Sequence, residues 1–315
     1  MTRSVAVVVL GAGRSGTSAA TRGLAALGVD LGDRLRAGWG KNPTGFFEDR
    51  DILALNQRLK RLLGVRGDSV RLIAPEEWDA TDIVALRAEA VDTLNRRFGG
   101  AALWGYKYGR TLRFLPFWEE VHGALDLDVR YLVALRNPLS VAASRGKLDP
   151  RRGRQQKSDL EWLVNIVPYF RRARARPLVV VDYDLLLAQP EAQLARIADQ
   201  LALPPADPAE KAAYAHEFLH PGMRHTRFTA DDLDGAADPL VYDAYRWLHG
   251  LASDALTIDD KALWEDWARI EGAVAAMAGA LDQLDHVETE LRAAKRHPLG
   301  ALQAIPPLWR RLTRG

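Results

Sequence analysis

The segment at residues 5–18, VAVVVLGAGRSGTS, is the feature that most restricts how this chain can fold. Its first six residues are apolar, which is typical of a strand covered on both faces in a parallel sheet. Residues 17–27 then have the composition of a helix, and Gly28 follows as an end signal. The glycine-rich turn therefore leads from a buried strand to a helix N-terminus, where backbone N–H groups and the helix dipole favour an anion.

The spacing of Gly11 and Gly16 matches the start of a Walker A loop, but the next two positions differ from it. A nucleotide triphosphatase has lysine and then serine or threonine there, whereas this chain has Thr17 and Ser18. Arg14, inside the loop, supplies positive charge instead. The sequence thus predicts a loop that binds a phosphate without the lysine and metal ion used in phosphoryl transfer from ATP.

A second strand, turn and helix pattern lies at residues 129–144, VRYLVALRNPLSVAAS. Residues 131–135 predict a short buried strand, and Pro138 suits the first turn of a following helix. Arg136 ends the strand, and Ser144 follows eight residues later. A guanidinium fork and a hydroxyl are suitable donors to a phosphate, while a strand-end arginine and a solvent-facing serine are the structural alternative.

These two segments resemble the donor-site motifs of the sulfotransferases that use 3′-phosphoadenosine 5′-phosphosulfate (PAPS), over about residues 5–230. The resemblance implies an α/β fold, with a P-loop-like parallel sheet of about five strands flanked by helices. It implies that Arg136 and Ser144 bind the 3′-phosphate of the donor. The residues it assigns to the 5′ end of the donor are Gly13, Arg14, Ser15, Gly16, Thr17 and Ser18.

The segment at residues 42–56, NPTGFFEDRDILALN, resembles a stretch of the bacterial branch in which an aromatic and then an acidic residue lie at the mouth of the site. On this basis Glu48 is the candidate general base, which would take the proton of the acceptor hydroxyl. Asp49 and Asp51 are interpreted as acidic residues at the N-terminus of a helix over residues 52–63. The alternative for Glu48 is that it too is an acidic residue near the helix N-terminus, without a catalytic role.

The segment at residues 104–118, WGYKYGRTLRFLPFW, resembles a family stretch that normally reads Lys-Asp-Pro-Arg. Lys107 and Arg110 are kept, whereas Tyr108 and Gly109 replace the Asp-Pro pair. The resemblance implies that Lys107 stabilises charge on the departing nucleotide, as Arg14 would on the sulfuryl oxygens. A surface lysine after a short strand is the alternative for Lys107.

Composition adds limits to these hypotheses. The chain has 315 residues, 48% hydrophobic content and no cysteine, which excludes disulfides, thiolate metal ligands and cysteine nucleophiles. His216, His220 and His225 are close in sequence, but Pro221 interrupts them, so we expect no metal site. The net charge of +2 does not indicate nucleic acid binding. We expect a cytoplasmic protein, because neither a signal peptide nor a membrane-spanning stretch is present in the sequence.

Residues 145–157 carry six basic residues against Asp149 alone. Such a segment either steers a polyanionic donor or an acidic acceptor, or forms a solvated, mobile surface loop.

Residues 179–182, VVVD, resemble a Walker B strand, which is the main support for the kinase alternative. We instead interpret Asp182 and Asp184 as turn and helix-cap residues, because YDLLLAQPE resembles a structural segment of the sulfotransferases.

The C-terminal third predicts a helical extension to a sulfotransferase-like domain at residues 1–255. Apolar residues recur at spacings of three and four from Leu263 to Leu291, which predicts one long amphipathic, coiled-coil-like helix within residues 256–297. Homo-oligomerisation through this helix is expected. Residues 298–315 form a basic, apolar tail that could rest peripherally on an anionic membrane, or be a loosely docked terminus.

The hypothesis that follows is sulfuryl transfer from PAPS, as co-substrate and without a metal, to a hydroxyl or amine of an acceptor. The acceptor candidates are a carbohydrate, a glycolipid or other lipid-linked molecule, and a natural product. Sugar rings and natural-product scaffolds suit the aromatic residues Phe46, Phe47, Tyr106, Tyr108 and Trp162 equally, and a lipid-linked acceptor suits the basic, apolar tail. Two alternatives remain, a P-loop small-molecule kinase and a noncatalytic nucleotide-binding or scaffold protein. The kinase would require Mg²⁺-ATP, and the scaffold protein would bind the donor without turnover.

Overall fold

The computed structural model describes residues 3–38, 45–223 and 226–296. Within these residues the fold is α/β, with a parallel sheet of four strands in the order β2-β1-β3-β4. The strands are β1 (Val5–Gly11), β2 (Leu103–Lys107), β3 (Asp128–Leu135) and β4 (Leu178–Asp182).

The helices come between and after these strands. They are α1 (Thr17–Ala26), α2 (Arg50–Leu62), α3 (Thr81–Phe98), α4 (Leu115–Ala124), α5 (Pro138–Gly146), α6 (Gln155–Ala173), α7 (Tyr183–Ala188), α8 (Pro190–Gln200), α9 (Pro208–Ala213), α10 (Pro239–Ala252), α11 (Lys261–Ala276) and α12 (Ala278–Arg296). Short 3₁₀ turns lie at Pro75–Asp79, Leu112–Phe114, Pro221–Met223 and Asp231–Leu233, and a π-helical turn at Tyr214–Phe218.

The two faces of the sheet belong to separate apolar clusters. Alternate residues of β1, beginning with Ala6, pack under α2, α3, α4, α6, α10 and α11. The intervening residues, beginning with Val7, pack against α1 and α8. Every strand is therefore covered on both faces, which is why β1 is apolar without a polar alternate position.

The prediction of about five strands was wrong, since four are present in the described part of the chain. The segment after α1 reaches the free edge of β2 only as a single parallel bridge between Asp30 and Trp104. Gly28 and Gly32 flank this bridge with φ values of 82° and 79°. Because these left-handed residues turn the chain on both sides of Asp30, the segment does not continue as a strand.

The sequence-predicted C-terminal helix consists of two helices, because α11 ends at Ala276 and α12 begins at Ala278. Leu263, Trp267 and Val274 of α11 are buried in the same cluster as one face of the sheet. Leu281 of α12 instead packs with Val70 and Val164. The break thus accompanies a change of packing partners from the main core to the loop that contains Val70.

The rest of the α12 stripe is open, since Leu284, Val287 and Leu291 are exposed. Homo-oligomerisation through this helix, and the division of the chain at residue 255, stay predictions. The tail at residues 298–315 lies outside the described residues. No helix among the described residues is long and apolar enough to cross a membrane.

Candidate active site

The carboxyl ends of all four strands lie at one edge of the sheet, and the residues that follow them meet there. The register pairs Val9 of β1 with Lys107 and Gly11 with Ala134, and it pairs Leu135 with Asp182. The glycine-rich loop, Lys107, Arg136 and Tyr183 therefore come to one place from distant parts of the sequence. This edge is where parallel α/β sheets bind ligands.

The loop at residues 12–16 joins β1 to α1, as predicted from the sequence. Gly16 has φ 81°, and a Cβ atom built on it would lie 2.3 Å from Cδ2 of Tyr183. Only glycine fits both this backbone conformation and this contact. No side chain caps α1, and the buried Ser15 hydroxyl has no hydrogen-bond partner within the described ranges. The loop therefore presents polar groups at a helix N-terminus, an arrangement that suits an anion.

Arg14 of this loop contacts both Ser144 and Arg136. Nε of Arg14 donates to Oγ of Ser144 at 2.9 Å, and Nη1 of Arg136 donates to the Arg14 carbonyl oxygen at 3.4 Å. The Arg136 guanidinium also lies 4.6 Å from the centre of the Tyr183 ring. Burial, together with the neighbouring charge of Arg136, lowers the pKa of Arg14. Partly desolvated positive charge is thus concentrated beside the loop.

Lys107, Glu48 and Ser18 form a second group on the other side of the loop. Nζ of Lys107 lies 3.1 Å from Oε1 of Glu48 and 3.2 Å from Oγ of Ser18. Nη1 of Arg36 lies 3.4 Å from the second oxygen of Glu48. Burial lowers the pKa of Lys107, and the adjacent Glu48 carboxylate partly offsets this effect. The loop sequence has no lysine at the Walker A position. Lys107 of the neighbouring strand β2 places a lysine beside the first turn of α1 instead.

The acidic residues after Glu48 have the structural roles predicted for them. Asp49 caps α2, because its carboxylate accepts hydrogen bonds from the backbone N–H groups of Asp51 and Ile52. It also pairs with Arg97 at 2.7 Å. Asp51 is paired with Arg34 at 2.8 Å. Residues 42–44 of the same sequence segment lie outside the described residues.

Asp182, the residue that suggested a Walker B strand, is the N-cap of α7. Its carboxylate accepts hydrogen bonds from the backbone N–H groups of Asp184 and Leu185 at 2.8 and 3.2 Å. Tyr245 donates to its other oxygen at 3.3 Å. Burial raises the pKa of Asp182. The helix-cap interpretation is confirmed for Asp182, and a carboxylate held in this way is poorly suited to coordinate Mg²⁺ beside a nucleotide.

The basic segment at residues 145–157 divides between interior and surface. Arg145 is 2% exposed, whereas the side chain of Arg151 is 58% exposed and pairs with Asp149. Arg152 turns inward and binds Glu161 at 2.6 Å. The segment is therefore not simply a solvated loop, because Arg145 and Arg152 line the same cavity as the glycine-rich loop.

The cavity has a volume of about 360 Å³ and is strongly cationic. Its charged lining side chains are Arg14, Arg36, Lys107, Arg110, Arg136, Arg145 and Arg152, against the carboxylates of Glu48 and Glu161.

Sequence reasoning did not single out Glu161, Asn165 or the site role of Tyr183. Glu161 and Asn165 lie in the middle of α6 at a spacing that any amphipathic helix shows. Only the position of Tyr183 directly after β4 carried a signal.

No group of three His, Asp or Glu side chains in the described part of the chain is arranged to hold a metal ion. His225, one of the three clustered histidines, lies outside the described residues, and so does Arg224. Met223, just before them, lines the cavity, and its carbonyl oxygen accepts the Tyr183 hydroxyl at 3.1 Å.

Fold and site together define an α/β protein with a cationic cavity at the carboxyl edge of its parallel sheet. No family model and no curated protein sequence matches the chain. Among solved structures it is similar to the sulfotransferase domain of the olefin synthase from Synechococcus PCC 7002. The identity is 16%, the coverage is 87% of this chain and 95% of that one, and the TM-score is 0.41. At these values the similarity does not indicate what the present chain binds.

Proposed function

We propose that the protein transfers a sulfuryl group from PAPS to a hydroxyl group of an acceptor molecule. The observation that carries the proposal is the convergence of Arg14, Arg136, Ser144 and Lys107 on a glycine-restricted loop at a helix N-terminus. A donor with two phosphates and a sulfate requires several separate cationic contacts. The cavity provides them in a desolvated setting, where each contact is stronger than in water.

The donor-binding residues divide into two groups in this proposal. The loop, with Gly13, Arg14, Ser15, Gly16, Thr17 and Ser18, would bind the 5′ end of the donor. Arg136 and Ser144 would bind the 3′-phosphate. Such a ligand would satisfy the Ser15 hydroxyl and the N-terminus of α1, which have no hydrogen-bond partner and no side-chain cap among the residues that the structure describes.

In this reaction an acceptor oxygen bonds to sulfur while the bond from sulfur to the bridging phosphate oxygen breaks, and the nucleotide leaves with that electron pair. Glu48 would accept the acceptor proton in this proposal, which is supported by the position of its carboxylate next to Lys107 in the lining of the cavity. Lys107 would stabilise negative charge on the departing phosphate, and Arg14 would stabilise the sulfuryl oxygens. Lys107 and Glu48 are held by a buried contact with each other before any ligand binds, whereas the contact of Arg14 with Ser144 is exposed.

Three features of the site distinguish it from the active site of a P-loop kinase. Thr17 occupies the position of the Walker A lysine, and Asp182 is used as a helix cap. Lys107 approaches the loop from β2 and is paired with Glu48. These groups suit transfer that relies on fixed positive charge without Mg²⁺.

Calorimetric binding of 3′-phosphoadenosine 5′-phosphate (PAP), with and without EDTA, tests the donor site. We expect micromolar binding that is unchanged by EDTA and weakened about 10- to 100-fold in Arg136→Ala, because one charge-assisted contact is lost. Arg151→Ala is the matched control, since Arg151 lies outside the cavity and pairs with Asp149. Stronger binding of Mg²⁺-ATP, or equal PAP binding by Arg136→Ala and the wild type, would refute the proposal.

Transfer itself is tested with radiolabelled PAPS and a panel of hydroxylated acceptors. Glu48→Gln is expected to bind PAP as the wild type does and to lose at least about 100-fold in transfer rate. Equal rates for Glu48→Gln and the wild type would remove Glu48 from the role of base. A wild type that binds PAP but transfers nothing to any acceptor would favour the noncatalytic alternative.

A further inference from the structure

Besides Arg36, which pairs with Glu48, three arginines of the cavity have no role in the proposed donor site. They are Arg110, Arg145 and Arg152, which we call the inner arginine cluster. Nη1 of Arg145 donates to the carbonyl oxygen and hydroxyl of Ser158 at 2.6 and 2.9 Å. Arg152 and Arg110 both donate to the carbonyl oxygen of Gly67. The cluster is therefore built into the protein rather than carried on mobile surface side chains.

The inner arginine cluster has more positive charge than its contacts neutralise. Glu161 is the carboxylate that contacts it, at 2.6 Å from Arg152 and 3.6 Å from Arg145. Burial lowers the pKa of Arg145 to about 10, in spite of the nearby Glu161. Arg152 differs, because Glu161, with Asp68 and Asp149 further away, raises its pKa in spite of burial. Among the described residues, three guanidinium groups thus face one directly contacting carboxylate, while Asp68, Asp149 and Asp159 act on Arg152 or Arg145 from further away. A ligand anion would compensate the excess charge.

The position of the cluster separates it from the proposed donor contacts. Ser144 and Arg145 are adjacent in α5, but Ser144 binds Arg14 of the loop whereas Arg145 binds Ser158 at the start of α6. Asn165 of α6 also lines the cavity, and its Oδ1 has no hydrogen-bond partner in the described ranges. The part of the cavity beside α6 therefore offers a set of charged and polar groups additional to those of the loop.

The C-terminal helix α12 fixes the backbone that holds the cluster. The Asp285 carboxylate accepts hydrogen bonds from the backbone N–H of Val70 at 2.8 Å and from the Ser69 hydroxyl at 3.1 Å. Arg66 also contacts Asp285, at 3.2 Å. Because Gly67 lies within this fastened segment, its carbonyl oxygen is held in place to orient Arg110 and Arg152. Such preorganisation reduces the cost of binding a ligand.

From this arrangement we infer that the inner arginine cluster binds an anionic group of the acceptor. The inference rests on the proposed function and narrows its substrate class to hydroxylated anions. A carboxylate and a phosphate ester share the recognition chemistry, because an arginine fork can bind two oxygens of either group. Neutral sugars and uncharged natural products would lack this contact.

The test measures anion binding to protein that is already saturated with PAP, so that the donor phosphates occupy their own sites. Orthophosphate is titrated by calorimetry into wild type and into Arg152→Gln, at constant ionic strength. We expect the wild type to bind phosphate and the variant to bind it at least about tenfold more weakly, because one charge-assisted contact is lost. Arg151→Gln, the neighbouring exposed arginine, is expected to bind phosphate as the wild type does.

A matched series then distinguishes the two sources of negative charge. Glucose, glucuronate and glucose 6-phosphate share a hydroxylated ring and differ in the charged group. We expect at least one of the two anions to bind the PAP-saturated wild type at least about tenfold more tightly than glucose does, and to lose that advantage in Arg152→Gln. The anion with the larger advantage identifies the preferred acceptor group.

The inference and the proposed function fail in different ways. If PAP does not bind at all, the donor site is wrong. If PAP binds but the saturated protein takes up no phosphate, or Arg152→Gln binds phosphate as tightly as the wild type, the anionic acceptor site is overturned. Thermal unfolding of each variant shows whether a loss of binding reflects a loss of fold. Lys157→Gln, which removes the ion pair between α6 and α12, is measured for comparison.

Discussion

Gly16 is the position at which a single methyl group should be most disruptive, and Gly16→Ala tests the geometry of the loop. Its φ of 81° costs an L-residue about 1–2 kcal/mol. The new Cβ would also lie 2.3 Å from the Tyr183 ring, which must shift. Overpacking of this kind costs about 1–3 kcal/mol. The two contributions together lower the free energy of unfolding by about 2–5 kcal/mol.

Gly28→Ala provides a matched control for this prediction. Gly28 has almost the same φ, 82°, and lies at the other end of α1, but nothing lies within 4 Å of a Cβ built on it. Its substitution should therefore cost only the backbone contribution of about 1–2 kcal/mol. The excess cost of Gly16→Ala over Gly28→Ala measures the contact with Tyr183.

The assay is urea denaturation of both variants, repeated in a Tyr183→Ala background as a double-mutant cycle. Removal of the ring should reduce the cost of Gly16→Ala most of the way to that of Gly28→Ala, because Cβ of residue 183, 3.1 Å from the new Cβ, remains. PAP binding should also weaken in Gly16→Ala, because the displaced ring no longer supports Arg136, which lies 4.6 Å from its centre. If Gly16→Ala is no more destabilising than Gly28→Ala, the close approach of Tyr183 to the loop is refuted.

Two further predictions concern the core. Burial lowers the pKa of His122 to about 3, so between this value and about 6.5 the unfolded chain binds the proton and the folded one does not. The free energy of unfolding should therefore decrease as the pH is lowered. Between pH 6 and 5 the wild type should lose about 1 kcal/mol more stability than His122→Leu, measured by denaturation of both proteins at each pH. An equal loss in the two proteins would contradict this prediction. Trp267→Ala should cost about 3–5 kcal/mol, because the side chain is fully buried, and Leu291→Ala, 52% exposed, should change stability by less than about 0.5 kcal/mol. Similar costs at the two positions would show that α11 does not pack as described.

The elements with strong local signals were predicted closely. β1 and α1 lie where the apolar run and the helical composition indicated, and Pro138 begins α5 as expected. Strand count and the C-terminal helix were predicted less well. The edge contact of Asp30 depends on what the chain packs against, and so does the helix break at Met277. Neither feature produces a periodic pattern in the sequence.

The candidate site shows the same division. The loop residues and Arg136 could be proposed from the sequence because a glycine turn and a strand-end arginine are local features. The ion pair of Lys107 with Glu48 joins residues 59 positions apart, and no spacing in the sequence predicts that contact. Glu161, which lies between Arg145 and Arg152, was missed because a buried glutamate in a helix has the same sequence pattern as an exposed one.

The sequence by itself determined that β1 is buried, that the turn after it precedes a helix, and that Thr17 replaces the Walker A lysine. These follow from hydrophobic periodicity and from the conformational freedom of glycine, which act over a few residues. Only the tertiary structure decided which cations meet at that turn. The parallel register brings the ends of four strands to one edge, and charges that are far apart in the chain then share one desolvated cavity.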